Sequence, residues 1–457
     1  MEKLVVLICV IVGIGVSLFL FPYGFLASLF CAVCSLIAFA ILRRSKEENQ
    51  FLLQIFLGAL VVRILIATMV HVFDLYNFFG GDSLTYDWRG LRLSEIWFGQ
   101  APIYDEYSQK VLSTSDAGWG MNYMVAFVYS IVGRNMLAVQ YFSCVVGAAT
   151  APAIYICAHK IFNNIRVART TAFIVAFCPS LVIWSSQVLK DGFIIFLLVI
   201  IMVALLNLLE EFSYVSLLIL IFSLFGIISL RFYIFYMVAV AVMGAFMVGV
   251  GSFNAQSVFR RLAAVCIIGV GLTYLGILNR ASAEIESISD LERIQNTRKA
   301  NATAQSDRGN EKGSGYGEDL DISTPEGAIS AIPIGFTYLM LAPFPWQIRN
   351  FRQAITLPEM LLWWASIPLL ISGLYYTIRY HLRGSIGILF FTFMLTIAYS
   401  IFQGNVGMAY RQRAQIQVFL FIFIAVGWTI MQEKRENRNY LRNIEHQRLR
   451  ERMQRRD

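Results

Sequence analysis

Long apolar runs dominate the chain and leave few folds open to it. They occupy residues 4–21, 24–43, 51–71, 137–157, 168–186, 190–209, 213–229, 232–251, 260–277, 357–378, 384–402 and 411–431. A helix of about 20 apolar residues crosses the hydrocarbon of a bilayer. Inside lipid every backbone N–H and C=O must be satisfied within the segment, which a helix does alone. The expectation is an all-α integral membrane protein with about twelve transmembrane helices. Composition agrees: 58% of the 457 residues are hydrophobic and 14% charged, against about a quarter charged in soluble domains. The N-terminal run also resembles a signal peptide. It lacks a clear small-residue cleavage site and a second apolar run follows at once, so it reads as a retained helix. Two shorter apolar runs, 119–132 and 329–345, suit external juxtamembrane or re-entrant helices better than spans.

Charge fixes the expected orientation. With the N-terminus inside and both short runs unspanned, the inside segments are RRSKEEN (43–49), HKIFNNIRVAR (159–169), FRR (259–261), RYHLR (379–383) and the tail 432–457. Each is basic, as inside segments should be. Both termini are then cytoplasmic. The chain divides into two N-terminal spans (1–50), a membrane module 51–277 with an external loop 72–136, an external loop 278–356, C-terminal spans 357–431 and a basic tail 432–457. Within 278–356, residues 283–299 suit a short polar helix, and residues 300–320 suit a mobile lid or a plain connector.

This topology collects charge on the external face. GGDSLTYDWRG (80–90), WSSQVLKDG (184–192), the segment 342–352 and QGNVGMAYRQR (403–413) place Asp82, Asp87, Arg89, Lys190, Asp191, Arg349, Arg352, Arg411 and Arg413 together. Charges at a membrane boundary are costly unless paired or wet. Cations beside carboxylates suit a phosphate clamp with a general base next to it. Bland readings stand beside this one. Arg411 and Arg413 can snorkel at a helix end, Lys190 and Asp191 can pair locally, and Tyr86, Trp88 and Trp184 can be interfacial belt aromatics rather than sugar-stacking rings. Arg63 sits inside a span, where it pairs with a carboxylate, lines a cavity or snorkels. The seven Cys and four His show no metal-ligand spacing, and no GxxxxGK[ST] loop occurs. The basic tail reads as a topogenic segment that attracts anionic lipid, with RNA or partner binding as the alternative; no nucleic-acid partner is expected.

The order of these motifs resembles the GT-C superfamily of polytopic glycosyltransferases, which includes protein O-mannosyltransferases and aminoarabinose transferases. The resemblance rests on DSLTY (82–86) in the first external loop, a helix ending near Gly99, a second membrane-hugging helix at 119–132, a basic turn, and FCPSLVIWSSQVLKDG with Pro179 and Asp191. It spans roughly residues 51–210. The family often has paired acids where this chain has Asp82-Ser83, so Asp82 works alone or Asp87 substitutes. The resemblance implies a polyprenyl-phosphate-linked sugar or glycan as donor and an inverting transfer. Asp82 is then the base, while Lys190, Arg411 and Arg413 stabilise the leaving phosphate. Arg349 and Arg352 hold the lipid phosphate. Tyr86, Asp87, Arg89 and Trp184 contact the sugar. Asp191 orients Lys190 or helps bind a divalent metal, Mg or Mn; no other cofactor is implied. Residues 342–352 and 403–413 are similar to proteins of bacterial polysaccharide clusters. That implies a bacterial inner membrane, an external active site, and other polysaccharide-assembly proteins as partners besides membrane lipids. A repeat-unit polymerase or ligase is the first alternative, and a lipid-linked sugar flippase the second.

Overall fold

The computed structural model describes residues 11, 13–44, 48–79, 81–113, 118–248, 291–303, 315–317, 320–348 and 351–454. Among them the chain is all-helical, with one isolated antiparallel bridge between Gly315 and Asn405. Residues 4–10 and 12 of the expected span 4–21, the whole of 260–277, Arg349 and much of the 300–320 segment lie outside the described residues.

The helices are α1 (Tyr23–Arg43), α2 (Asn49–Val72), α3 (Asp82–Trp97), α4 (Glu106–Leu112), α5 (Trp119–Val132), α6 (Met136–Phe162), α7 (Ile165–Phe177) and α8 (Pro179–Ser185). They continue as α9 (Lys190–Glu210), α10 (Tyr214–Leu230), α11 (Phe232–Val248), α12 (Leu291–Thr303), α13 (Pro325–Leu341), α14 (Phe351–Tyr380), α15 (Leu382–Phe402) and α16 (Val406–Gln454). Seven of the described helices are long and apolar enough to cross a membrane, and eight if α7 and α8 form one bent span. The expected span 213–229 appears as the 17-residue helix α10, short of that length, and 232–251 as α11 over its described residues Phe232–Val248. The segment 72–136, expected as an external loop, is mostly helix: α3, α4 and α5 occupy it, and α5 coincides with the expected short run 119–132. In the insert, a polar helix is described at Leu291–Thr303, overlapping the expected 283–299, whose residues 283–290 lie outside the described residues.

Two helices form the centre. α6 is rich in Ala and is buried nearly all round, packed by α1, α2, α7 and α9. The membrane part of α16 is likewise buried and packs along α14 and α7. Small residues let these backbones approach. A Cβ at Gly373 of α14 would stand 1.8 Å from the Phe423 carbonyl oxygen of α16.

Ion pairs mark one end of the bundle. Glu48 before α2 meets Arg169 of α7 at 2.5 Å, Lys160 of α6 meets Glu210 at the end of α9 at 2.6 Å, and Arg166 of α7 meets Glu436 of α16 at 2.9 Å. The basic turn 159–169 therefore sits at one end. Lys190 and Arg411, at the other ends of α9 and α16, sit at the opposite one.

Candidate active site

The α3 helix starts because Gly81 takes a left-handed φ of 73° and turns the chain, leaving Asp82 as its first residue. An acid there complements the positive end of the helix dipole. Asp82 and Tyr86, four residues apart, share a face. Asp87 and Gly90 face α5 instead, and a Cβ on Gly90 would collide with Val125. Asp87 is accordingly buried. It accepts the Tyr129 hydroxyl and takes Arg134 at 2.7 Å. It locks α3 to α5 and does not join Asp82. Arg134 also lies over the Trp88 ring, 4.5 Å from its centroid. Arg89 is half-buried on the same helix.

The second part of the site follows a helix break. The expected straight span 168–186 bends by 55° between α7 and α8. Pro179 causes this: it lacks an N–H and holds Cys178 extended. Continuous helix would also have joined the Ser180 N–H to the Ala176 carbonyl. Here each half of that bond finds a charged partner. Ser180 N donates to Glu359 Oε2 at 2.9 Å, and Arg63 Nη1 donates to Ala176 O at 2.8 Å. Glu359 also accepts the Tyr410 hydroxyl at 2.7 Å, and Arg63 Nε donates to Ser185 Oγ at 2.8 Å. Among the described residues Arg63 therefore bonds Ser185 and backbone carbonyls rather than a carboxylate, and it does not snorkel; it is fully buried and splints the break. Residues 184–192 are not the open loop expected. They are the end of α8, a tight turn, and then Lys190 and Asp191 as the first residues of α9.

The halves meet through Arg411. Its Nε and Nη2 donate to Asp191 Oδ2 at 2.6 and 2.5 Å, and its Nη1 donates to Asp82 Oδ2 at 2.7 Å. Asp191 is wholly buried, whereas the Asp82 side chain is 52% exposed. Asp191 Oδ1 accepts from Arg231 Nη2 at 3.1 Å, in the turn between α10 and α11. Arg231 also donates to the Tyr233 hydroxyl at 3.3 Å. The Trp184 ring lies beneath Arg411, 5.5 Å from ring centroid to Cζ. Lys190 Nζ and the Tyr86 hydroxyl converge on Gly118: a Cβ there would stand 2.9 and 3.3 Å from them, and its φ of 90° independently favours glycine. Burial, with Asp82 close by, pushes the Tyr86 phenol up to about 12, so it is a hydrogen-bond donor at neutral pH.

Six expected site residues thus gather: Asp82, Tyr86, Trp184, Lys190, Asp191 and Arg411. Arg352 stands nearby, donating to the Asn77 carbonyl at 3.3 Å beside the Phe78 ring. Arg413 lies elsewhere. It is fully buried, and its Nη1 binds the carbonyls of Met340 and Ala342 at 3.1 and 2.8 Å, closing the end of α13. Arg231 and Glu359 went unread in the sequence. Arg231 offered a signal, a lone charge in the turn between two apolar runs on the face of Asp82.

The donor set does not fit a resident metal. Both Asp191 oxygens are held by guanidiniums, and among the described residues no three His, Cys, Asp or Glu side chains gather. The arrangement instead offers a fixed cationic pocket with one reachable carboxylate, suited to a phosphate ester beside a hydroxyl. No curated protein matches the sequence. Residues 116–274, about a third of the chain, reaching from just before α5 to beyond α11 and including Lys190, Asp191 and Arg231, match the family model described as dolichyl-phosphate-mannose-protein mannosyltransferase, in keeping with the GT-C resemblance of the motifs.

Proposed function

We propose that this membrane protein transfers a sugar, or an assembled glycan, from a polyprenyl phosphate or pyrophosphate carrier to an acceptor hydroxyl. The observation that carries the reading is the sharing of Arg411 between buried Asp191 and half-exposed Asp82. Asp191 fixes Arg231 and Arg411 in place, so their positive charge needs no reorganisation when a phosphate arrives. An arriving phosphate competes with Asp82 for Arg411. Asp82 is released next to the reacting carbon and accepts the proton of the acceptor hydroxyl. The acceptor oxygen bonds to C1 as the C1–O bond to phosphate breaks, giving inversion in one displacement. The phosphate leaves with the electron pair, and Arg411 and Lys190 stabilise its charge. Tyr86 donates a hydrogen bond within the pocket, and Trp184 braces Arg411 by a cation–π contact.

The basic turn at the opposite end of the bundle supports an external active site, and the GT-C likeness supports a role in bacterial surface polysaccharide synthesis. Transfer of a lipid-linked donor by membranes holding wild type or Asp82→Asn at equal levels tests the base. Asn keeps the size and cannot take a proton, so a loss of about 10²- to 10⁴-fold is expected. Full activity of Asp82→Asn would sink this mechanism. The same products separate single transfer from polymerisation: one added unit against a ladder of repeats.

A further inference from the structure

Outside this pocket, another guanidinium is buried without a hydrogen-bond partner among the described residues. Arg298 of α12 is 3% exposed, yet its Nε, Nη1 and Nη2 have no hydrogen-bond partner. The Tyr316 hydroxyl beside it is also buried and unpartnered. A guanidinium carries five N–H donors and no acceptor, and burying it uncompensated is strongly unfavourable. The Tyr316 ring, 5.9 Å from Arg298 Cζ, offsets a little of this through its π face.

The chain builds a clasp around this group. Tyr316 N donates to the Gly404 carbonyl at 2.9 Å, joining the insert to the start of α16. The Tyr316 ring stacks on Tyr338 of α13 at 4.1 Å. Gln295, one turn before Arg298, accepts from Ile322 N and donates to the Leu320 carbonyl, both at 3.2 Å. Two glycines make room. A Cβ at Gly404 would stand 2.6 Å from Arg298 Cγ, and one at Gly317, where φ is 58°, would stand 3.0 Å from Nη2. Asp321, a described acid near the clasp in sequence, is exposed and turned toward Ser323. Among the described residues, the unpartnered groups here can all donate, and the complement that suits them is an oxyanion.

We infer that Arg298 and Tyr316 bind an oxyanion, a carboxylate or phosphate borne by the glycan substrate. The source rests on the transfer reading above; the oxyanion site itself does not. Arg411 lies five residues beyond Val406, about 8 Å along α16 at 1.5 Å per residue, and Gly404 stands two residues before that helix start. A lipid-linked donor held at Arg411 therefore has its glycan within reach of the clasp. An acidic substituent there would be selected over a neutral one, because bidentate guanidinium–oxyanion pairing has no neutral equivalent.

The test uses the purified full chain in phosphatidylcholine nanodiscs. Thermal midpoints and calorimetric binding are measured with glucuronate, inorganic phosphate and, as neutral control, glucose. Expected are binding and a raised midpoint with glucuronate or phosphate, nothing with glucose, and an affinity loss of roughly 10- to 100-fold in Arg298→Gln. Gly404→Ala, which keeps the charge and displaces it, should weaken binding too. Only the part of the binding that Arg298→Gln removes is counted, so phosphate taken up at Arg411 does not enter the result, and failure of the transfer mechanism would leave it standing. In anion-free buffer Arg298→Gln should be as stable as wild type or more so. A marked fall in its midpoint would make Arg298 structural and overturn the site, as would equal binding of glucose. A second arm adds phosphatidylglycerol to the discs. Stabilisation there that depends on Arg298, with no response to soluble anions, would assign the oxyanion to lipid headgroups and overturn the glycan source.

Discussion

Asp191 holds two guanidiniums on one carboxylate, with no exposure of its own side chain. Asp191→Asn would leave Arg231 and Arg411 crowded and under-neutralised. Removing one partner of a buried charge network costs about 3–5 kcal/mol, so thermal unfolding in detergent should show a large drop in midpoint, together with lost transfer. Asp82→Asn, at a half-exposed position, should lose transfer and keep its midpoint. The contrast separates the residue that builds the pocket from the one that reacts in it. Asp82, Lys190, Asp191 and Arg411 were legible in the sequence because each is a charge at the end of an apolar run, on one expected face. Arg413 shared that signal and misled for a geometric reason. On a helix, residues two apart point about 200° away from each other, so Arg411 and Arg413 cannot serve one pocket. The helix begins at Val406 rather than at the expected 411, and so imposes this on both.

Among the elements, the broken helix α7–α8 determines where Lys190 and Asp191 can sit. Its missing backbone hydrogen bond is replaced by Glu359 on one side and Arg63 on the other. Glu359→Ala removes the acceptor for Ser180 N and for the Tyr410 hydroxyl. Hydrogen bonds to charged groups contribute about 1.5–3 kcal/mol each, so a loss of at least about 3 kcal/mol is expected, measured by unfolding in detergent. Transfer should fall as well, since only a short turn separates α8 from Lys190. Pro179 was visible in the sequence, but the break was not. A proline inside a twenty-residue apolar run is compatible with a kinked continuous span, and hydropathy carries no record of the partners, some 180 residues away in the case of Glu359. The short helix α5 was legible because its length, 14 residues, sets it apart from a span.

The molecule as a whole is polar at two ends and apolar between them. Gln100, exposed beyond α3, and Lys434, exposed near the end of the buried part of α16, lie at opposite ends. Single cysteines at these positions should react with an impermeant maleimide from opposite sides of the membrane, Gln100→Cys from outside the cell. Labelling of both from one side would refute the orientation. One element runs the whole way. α16 continues for 49 residues, about 70 Å at 1.5 Å per residue. It starts beside the Arg298 clasp, carries Arg411 into the pocket, and reaches Glu436 and its partner Arg166 at the far end. Being one uninterrupted screw, it fixes these stations in phase as well as in height. One residue inserted midway, after Phe423, would rotate one half against the other by about 100°. The far-end pairing and the pocket could not both be kept, and transfer should be lost. A seven-residue insertion restores the phase to within about 20° but lengthens the screw by about 10 Å. The helix thus works as a vernier, on which angular errors and length errors cannot be cancelled together.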